Sequence, residues 1–258
     1  MPLPTDPEPA VRNPAKLRKT AWFLVAVMLI GGFLIIEAYN KMAKEQAADD
    51  RPAIIYRIPQ ERDLRVIRQD GKTLDLFSLR GNVLAVNVVS LKHPETSARS
   101  LAVMKRLAAK YKDTPDFKLV SLAINPLPAE TAVSQLSKAA DADGMKLPKW
   151  WLATNEPKTL DTFIKNELKA NDFPYEADGK WHFDTSIVLI DRNGHIRRAV
   201  VPQKRGGEPY IATFDFDQAA KWDAEHKLTG NSLTNEAQLE VLLNQTIGKL
   251  LAEHNPNL

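Results

Sequence analysis

The chain is 258 residues long, with 44% hydrophobic and 26% charged residues and a formal net charge of +3. So small a charge excludes the basic stripe of a nucleic-acid binder, and so ordinary a composition excludes wholesale disorder. The chain has no cysteine, which excludes disulfides, thiol redox chemistry and thiolate metal sites.

Residues 1–19 hold Pro2, Pro4, Pro7, Pro9 and Pro14 and read as an extended tail unable to build a core. Residues 21–36 carry neither charge nor proline. With Thr20 and Glu37-Ala38-Tyr39, the stretch 20–39 reaches the roughly 20 residues that cross a bilayer as a helix. Trp22 and Tyr39 stand at its ends, where interfacial aromatics belong, and Gly31-Gly32 permits close approach of another helix. Arg12, Lys16, Arg18 and Lys19 precede the run, whereas Lys41, Lys44 and Arg51 follow it. This bias predicts a cytoplasmic N-terminus and a periplasmic domain on a bacterial inner membrane. No A-x-A site follows the run, so an uncleaved anchor is expected rather than a signal peptide. The polar, alanine-rich residues 40–52 read as a stalk.

The soluble part, 53–258, alternates strand and helix signals. Two short runs, 64–68 and 73–76, flank Asp70-Gly71, a hairpin turn. The almost wholly apolar residues 83–89, interrupted by Asn87 alone, mark a strand buried on both faces. Leu101, Met104, Leu107, Ala108 and Tyr111 share a helical face. A second apolar strand is predicted over 117–124, a helix over 131–142, a short strand over 150–153 and a helix over 157–168 with proline in its first turn. A third buried strand, 186–190, turns through Asp191-Arg192-Asn193-Gly194 into 196–201. A polar stretch, 202–231, includes a helix near 216–226. A last amphipathic helix follows Thr234. Strands separated by helices predict parallel pairing, and the hairpins predict antiparallel edges. The expected fold class is α/β: a mixed sheet flanked by helices and preceded by one transmembrane helix.

Several short matches in this order resemble the Sco/SenC family. Leu79-Arg80-Gly81-Asn82-Val83 is similar to the family's entry to its first core strand. His93-Pro94-Glu95-Thr96-Ser97 falls where the family has Cys-Pro-x-x-Cys. Ser121, Asn125-Pro126 and Glu130-Thr131 follow its "S-x-D-P-x-x-D-T" segment with one residue extra. Trp151-Leu152-Ala153-Thr154 resembles its "W-x-x-L-T-G" neighbourhood, and Leu189-Ile190-Asp191-Arg192-Asn193-Gly194 its "L-I-D-x-x-G" hairpin. The resemblance runs from about Asp63 to Val201, plus the last helix. It implies a thioredoxin-like fold and a membrane-tethered role in delivering copper to cytochrome c oxidase. A generic thioredoxin-like or peroxiredoxin-like protein shares the last motif.

The resemblance also implies a copper site of two thiolates and one histidine, and here the departures are large. The cysteine positions read as His93 and Ser97, and the family's histidine position, counted back from Asp191, is Phe183. His182 is adjacent, but neighbours on a strand point to opposite faces. His93 and His182 together would offer copper two nitrogens, too few for a tight structural site. Bland readings stand beside these: a solvated loop for His93, a helix N-cap for Ser97 and edge packing for His182. His195, His226 and His254 carry no spacing signal. There is no H-E-x-x-H, G-x-S-x-G or phosphate-binding glycine loop, and hence no catalytic residue to name. Gly206-Gly207 reads as a surface turn. Asp141, Asp143 and Gly144 read as a helix end rather than a calcium loop.

Three functions follow from these readings. The first is a Sco-like domain without thiol chemistry or cofactor, serving as an accessory or assembly subunit of a respiratory complex. The second is a copper-handling factor using His93 and His182. The third is a thioredoxin-fold enzyme of other chemistry. Under the first, the bilayer and respiratory subunits are the expected partners, and Tyr210, Phe214, Phe216 and Trp222 in the 202–231 insertion are either ordinary packing or interface anchors.

Overall fold

A computed structural model describes residues 14–48, 51–124, 129–201, 209–227 and 232–253. Arg12, Asn125-Pro126, Gly206-Gly207 and His254 lie outside the described residues. The chain divides into two units, with the second starting at Arg51.

The first unit is helix α1, Pro14–Ala48. Its stretch Pro14–Lys41, 28 residues, is long and apolar enough to cross a membrane, and none of it is buried. At 1.5 Å per residue it spans about 42 Å. The helix does not stop at Tyr39. It runs through the first part of the expected stalk, because residues 40–48 are rich in Ala, Lys, Glu and Gln, good helix formers with no glycine or proline among them.

The second unit holds β1 (Ala53–Arg57), β2 (Arg65–Arg68), β3 (Thr73–Asp75), β4 (Val83–Val89), α2 (Ala98–Lys110), β5 (Phe117–Ala123), α3 (Ala129–Asp143), β6 (Trp150–Thr154), α4 (Pro157–Asn166), β7 (Tyr175–Ala177), β8 (Lys180–His182), β9 (Val188–Ile190), β10 (His195–Val201), β11 (Tyr210–Ala212), α5 (Phe216–Ala224) and α6 (Asn235–Ala252). One sheet runs β1-β10-β9-β4-β5-β6-β2-β3, with β11 also on β10; β7 and β8 pair separately. β4, β5 and β6 are parallel, in register from Val83 opposite Phe117 to Val89 opposite Ala123. The pairs β4–β9, β9–β10, β10–β1, β2–β3 and β2–β6 are antiparallel. The fold is thioredoxin-like, a mixed sheet covered by helices, as the sequence predicts.

All seven residues of β4 are buried, and the strand's period of two deals them to two cores. Val83, Ala85 and Val89 pack with Met104, Leu107, Leu243 and Ile247 of α2 and α6. Leu84, Val86 and Val88 pack with Leu160, Phe163 and Ile164 of α4. The two hairpins turn at Gly71 (φ 79°) and Gly194 (φ 82°), in the left-handed region that glycine tolerates. At the second turn, Asp191 Oδ1 accepts the backbone N–H groups of Asn193 and His195, each at 2.9 Å.

The segment 202–231, expected as an insertion, packs onto the domain where it is described. Within its described part, β11 pairs with β10, Phe214 bridges to Ile187, and Phe214 and Phe216 are buried in the α2–α6 core. These two aromatics are packing residues; Tyr210 stays exposed. Asp143 ends α3 and pairs with Lys105 at 2.8 Å, so that acidic run is a helix end as expected.

A buried ionic cluster ties the hairpin to both ends of the unit. Arg197, 6% exposed, donates to Asp191 Oδ2 at 2.8 Å, to Glu253 at 2.6 and 2.9 Å, and to the Pro52 carbonyl at 2.9 and 3.1 Å. Arg192 donates to the carbonyls of Leu250, Leu251 and Glu253 at the end of α6, which opposes that helix's negative terminus.

Candidate functional site

The segment His93–Ser97, the motif turn of the sequence resemblance, lies between the carboxyl end of β4 and α2. Ser90 Oγ accepts the His93 backbone N–H at 3.0 Å, and Pro94–Ser97 form a 3₁₀ turn closed by Thr96 N donating to the His93 carbonyl at 3.1 Å. Proline suits this turn, having no N–H to leave unpaired.

His93 is half-buried rather than solvated, and its Nδ1 stands 3.3 Å from Glu95 Oε1. Ser97 precedes α2 but does not cap it: its side chain is buried and bonds no N–H of the first turn. The reason is backbone shape. The 3₁₀ turn leaves Ser97 at φ −106°, ψ 11°, whereas a capping serine needs an extended backbone.

A buried polar chain holds Ser97 from behind. Ser100 Oγ donates to the Ser97 carbonyl at 3.1 Å and lies 3.5 Å from Asn87 Nδ2. Asn87 Oδ1 accepts from Ser121 Oγ at 2.7 Å, which accepts from Trp150 Nε1 at 3.0 Å. The chain links α2, β4, β5 and β6 with a partner for each group, the condition under which a buried polar network specifies position.

His182 ends β8, so it belongs to a separate hairpin and not to the strand leading toward the β9–β10 turn. The alternation expected at this point holds: Trp181 and Phe183 are buried in the α4-side core, while His182 is exposed. The His182 ring stacks on Tyr175, centroids 5.1 Å apart and planes 15° from parallel. Phe183, where the resemblance implies a histidine, is a core residue.

The hairpin faces a cleft of about 560 Å³ that also touches the motif turn. Thr96 and Arg99 form one wall, Tyr175, His182 and Asp184 another, and Asp215 and Asp217 at the start of α5, with Lys221 in its last turn, a third. His93 is not among its lining residues. Arg99 Nε lies 3.3 Å from Asp217 Oδ1, and Thr185 donates to the other Asp217 oxygen. Asp184 accepts the backbone N–H groups of Asn171 (2.7 Å) and Ser186 (2.9 Å). Asp215 caps α5 through Gln218 N at 2.9 Å. Burial, reinforced by Asp184 and Asp217, holds the Asp215 carboxyl above the usual range.

Sequence reasoning missed these aspartates. Asp215-Phe216-Asp217 was readable as an N-cap followed by an acid in the first turn, but nothing in the chain order signals that this helix meets the motif turn.

These residues suit copper poorly. Soft thiolates that retain Cu(I) are lacking. Among the described residues, no three His, Cys, Asp or Glu side chains are placed to hold one metal ion.

No protein-family model matches the sequence, and no curated protein matches it. Solved structures do. A SCO1/SenC family lipoprotein from Bacillus anthracis superposes with a TM-score of 0.51 at 18% identity, covering 73% of this chain and 92% of that one. The two share a thioredoxin-like fold. BsSco, described as a Sco-family cytochrome c oxidase assembly protein with a disulfide switch, gives a TM-score of 0.48 at 18% identity over 77% of this chain and 97% of its own. Arabidopsis thaliana ScoI with copper bound gives 0.45 at 14% identity over 71% and 97%.

Proposed function

We propose that this chain is a cysteine-free member of the Sco/SenC family, anchored by α1 in a bacterial inner membrane with its N-terminus cytoplasmic and its Sco-like domain periplasmic. It serves as an accessory or assembly subunit of a respiratory complex such as cytochrome c oxidase, acting by protein contact and not by turnover. The observation that carries this reading is the motif turn. By the sequence resemblance it corresponds to the family's Cys-Pro-x-x-Cys segment; it lies between β4 and α2 and presents His93 and Ser97 where thiols would be needed. Without thiolates, the loop keeps its shape and loses electron and Cu(I) transfer. The fold shared with the Bacillus anthracis lipoprotein supports the family, and the apolar helix Pro14–Lys41 supports the anchor.

The test is co-purification. Tagged full-length chain, solubilised from its native membrane, should enrich subunits of a respiratory complex; failure to enrich any would overturn the reading. A second reading, copper handling through histidines, is favoured by one observation: His182 and Thr96 of the motif turn line one cleft. Titrating the detergent-solubilised chain with Cu(I) and Cu(II) separates the two. Retention of one copper per chain, lost in His93→Ala or His182→Ala, establishes the second reading and sinks the metal-free one.

A further inference from the structure

The cleft beside the motif turn is not isolated. A second open groove of about 650 Å³ lies between α2, α5 and the start of α6, and Arg99 and Asp217 line both. The two are halves of one trough, running from the Tyr175–His182 hairpin across the N-terminus of α2 to the N-terminus of α6. Ala98, Ala102 and Ala237 line the second half, leaving room for a backbone to lie along it. Resting on the reading of this face as a protein contact surface, we propose that the trough docks an extended, arginine- or lysine-bearing segment of a protein partner.

Charge gives the sign. In the first half, Asp172, Asp184, Asp215 and Asp217 face Arg99 and Lys221. In the second, Glu95, Glu236 and Glu240 join Asp217 against Arg99 and Arg106. The trough is therefore acidic on a chain whose net charge is +3. The arginines are already engaged: Arg99 with Asp217 at 3.3 Å and Glu236 at 3.2 Å, Arg106 with Glu240 at 2.7 and 2.8 Å. An anionic partner would have to break those pairs. A cationic one adds hydrogen bonds to carboxylates, each of which has room for several.

A second observation, independent of the acids, points the same way. Tyr175 is 52% exposed, yet its ring is fixed by stacking on His182 on a short two-stranded hairpin. An exposed, rigid aromatic face beside carboxylates is the arrangement that takes a guanidinium or ammonium group. Aromatic surface of this kind is also what anchors a binding hot spot. The trough is too long and too open for the enclosed pocket that buries a small metabolite.

The experiment is a fluorescence-anisotropy titration of the full chain in non-ionic detergent. The probe is a fluorescein-labelled decapeptide of alternating arginine and alanine, with its glutamate–alanine counterpart as control. The arginine peptide should bind about tenfold tighter or better, and raising salt from about 50 to 300 mM should weaken it. Combining Glu95→Gln, Asp172→Asn and Tyr175→Ala, all exposed positions, should abolish most of this preference with Tm unchanged. Asp172→Lys alone should weaken binding if the combined variant is unstable. Equal binding of the two peptides, or preference surviving in the variants, overturns the proposal. Its failure is distinguishable from failure of the functional reading. Respiratory subunits that still co-purify with the combined variant sink the trough alone, while peptide binding without respiratory subunits sinks the function alone.

Discussion

The indole N–H of Trp150 donates to the hydroxyl of Ser121 at 3.0 Å, deep in the sheet, and so orients the polar chain that ends at the Ser97 carbonyl. Replacing Ser121 with Ala strands a buried indole N–H and an amide oxygen at once. A loss of about 2 kcal/mol is expected, read from urea unfolding of the detergent-solubilised chain. A loss below about 0.5 kcal/mol would mean that the chain of bonds contributes little.

Arg197 should be much less replaceable. Arg197→Ala leaves Asp191, 6% exposed, without its cation. Burial pushes the Asp191 carboxyl up, but the His195 N–H and Arg197 outweigh it and hold it below the usual range. Removing the partner of a buried carboxylate costs about 3 kcal/mol, so Tm should fall by several degrees; an unchanged Tm would contradict the clustered geometry.

Phe214 tests the segment that resembled an insertion. Its side chain is 1% exposed in the α2–α6 core. Phe214→Ala should cost about 4 kcal/mol through lost burial and a cavity, whereas Tyr210→Ala, at an exposed position, should cost far less. Equal small effects would mean that Phe214 adds little to the α2–α6 core.

Asp161 gives a pH dependence. It is buried, its Oδ1 has no hydrogen-bond partner among the described residues, and burial, aided by Glu156, raises its carboxyl from 3.8 to about 6. Because the folded value is the higher, its favourable contribution is complete below about pH 4 and is lost as pH rises through about 6. Asp161→Asn should therefore stabilise the protein at pH 7.5 by about 2 kcal/mol and flatten the change in Tm between pH 4 and 6. A variant with the same pH profile as the parent would rule out Asp161 as the source.

The motif turn invites a test of its ancestry. Residues 93 and 97 bracket one 3₁₀ turn, with Thr96 bonded back to the His93 carbonyl. His93→Cys combined with Ser97→Cys should form an intramolecular disulfide under mild oxidation, seen as loss of two free thiols without dimer. A folded variant retaining both thiols would show that the turn does not have the family's geometry.

What the sequence disclosed depended on how local the cause was. β4 and the face of α6 were visible because burial writes an apolar pattern into consecutive residues. The two hairpins were visible because Gly71 and Gly194 must adopt positive φ. β1 was missed: its Ile54-Ile55-Tyr56 run is broken by a bulge, which obscures the alternation. β7 and β8 were missed because an exposed two-stranded hairpin has little buried pattern to show. The motif turn itself could be found from its order in the chain. The cleft could not, since its walls come from the hairpin, the turn and α5, which only the fold brings together.

The bond from Arg197 to Pro52 also has a mechanical side. Pro52 is where the chain preceding β1 enters the domain, and its carbonyl takes two hydrogen bonds from a guanidinium fixed by Asp191 and Glu253. A pull arriving along the N-terminal chain meets this clamp first, and next the antiparallel β1–β10 ladder, pulled along its length. Arg197 thus joins the point where the chain enters the domain to β10 and to the end of α6, so force applied ahead of Pro52 passes into those elements.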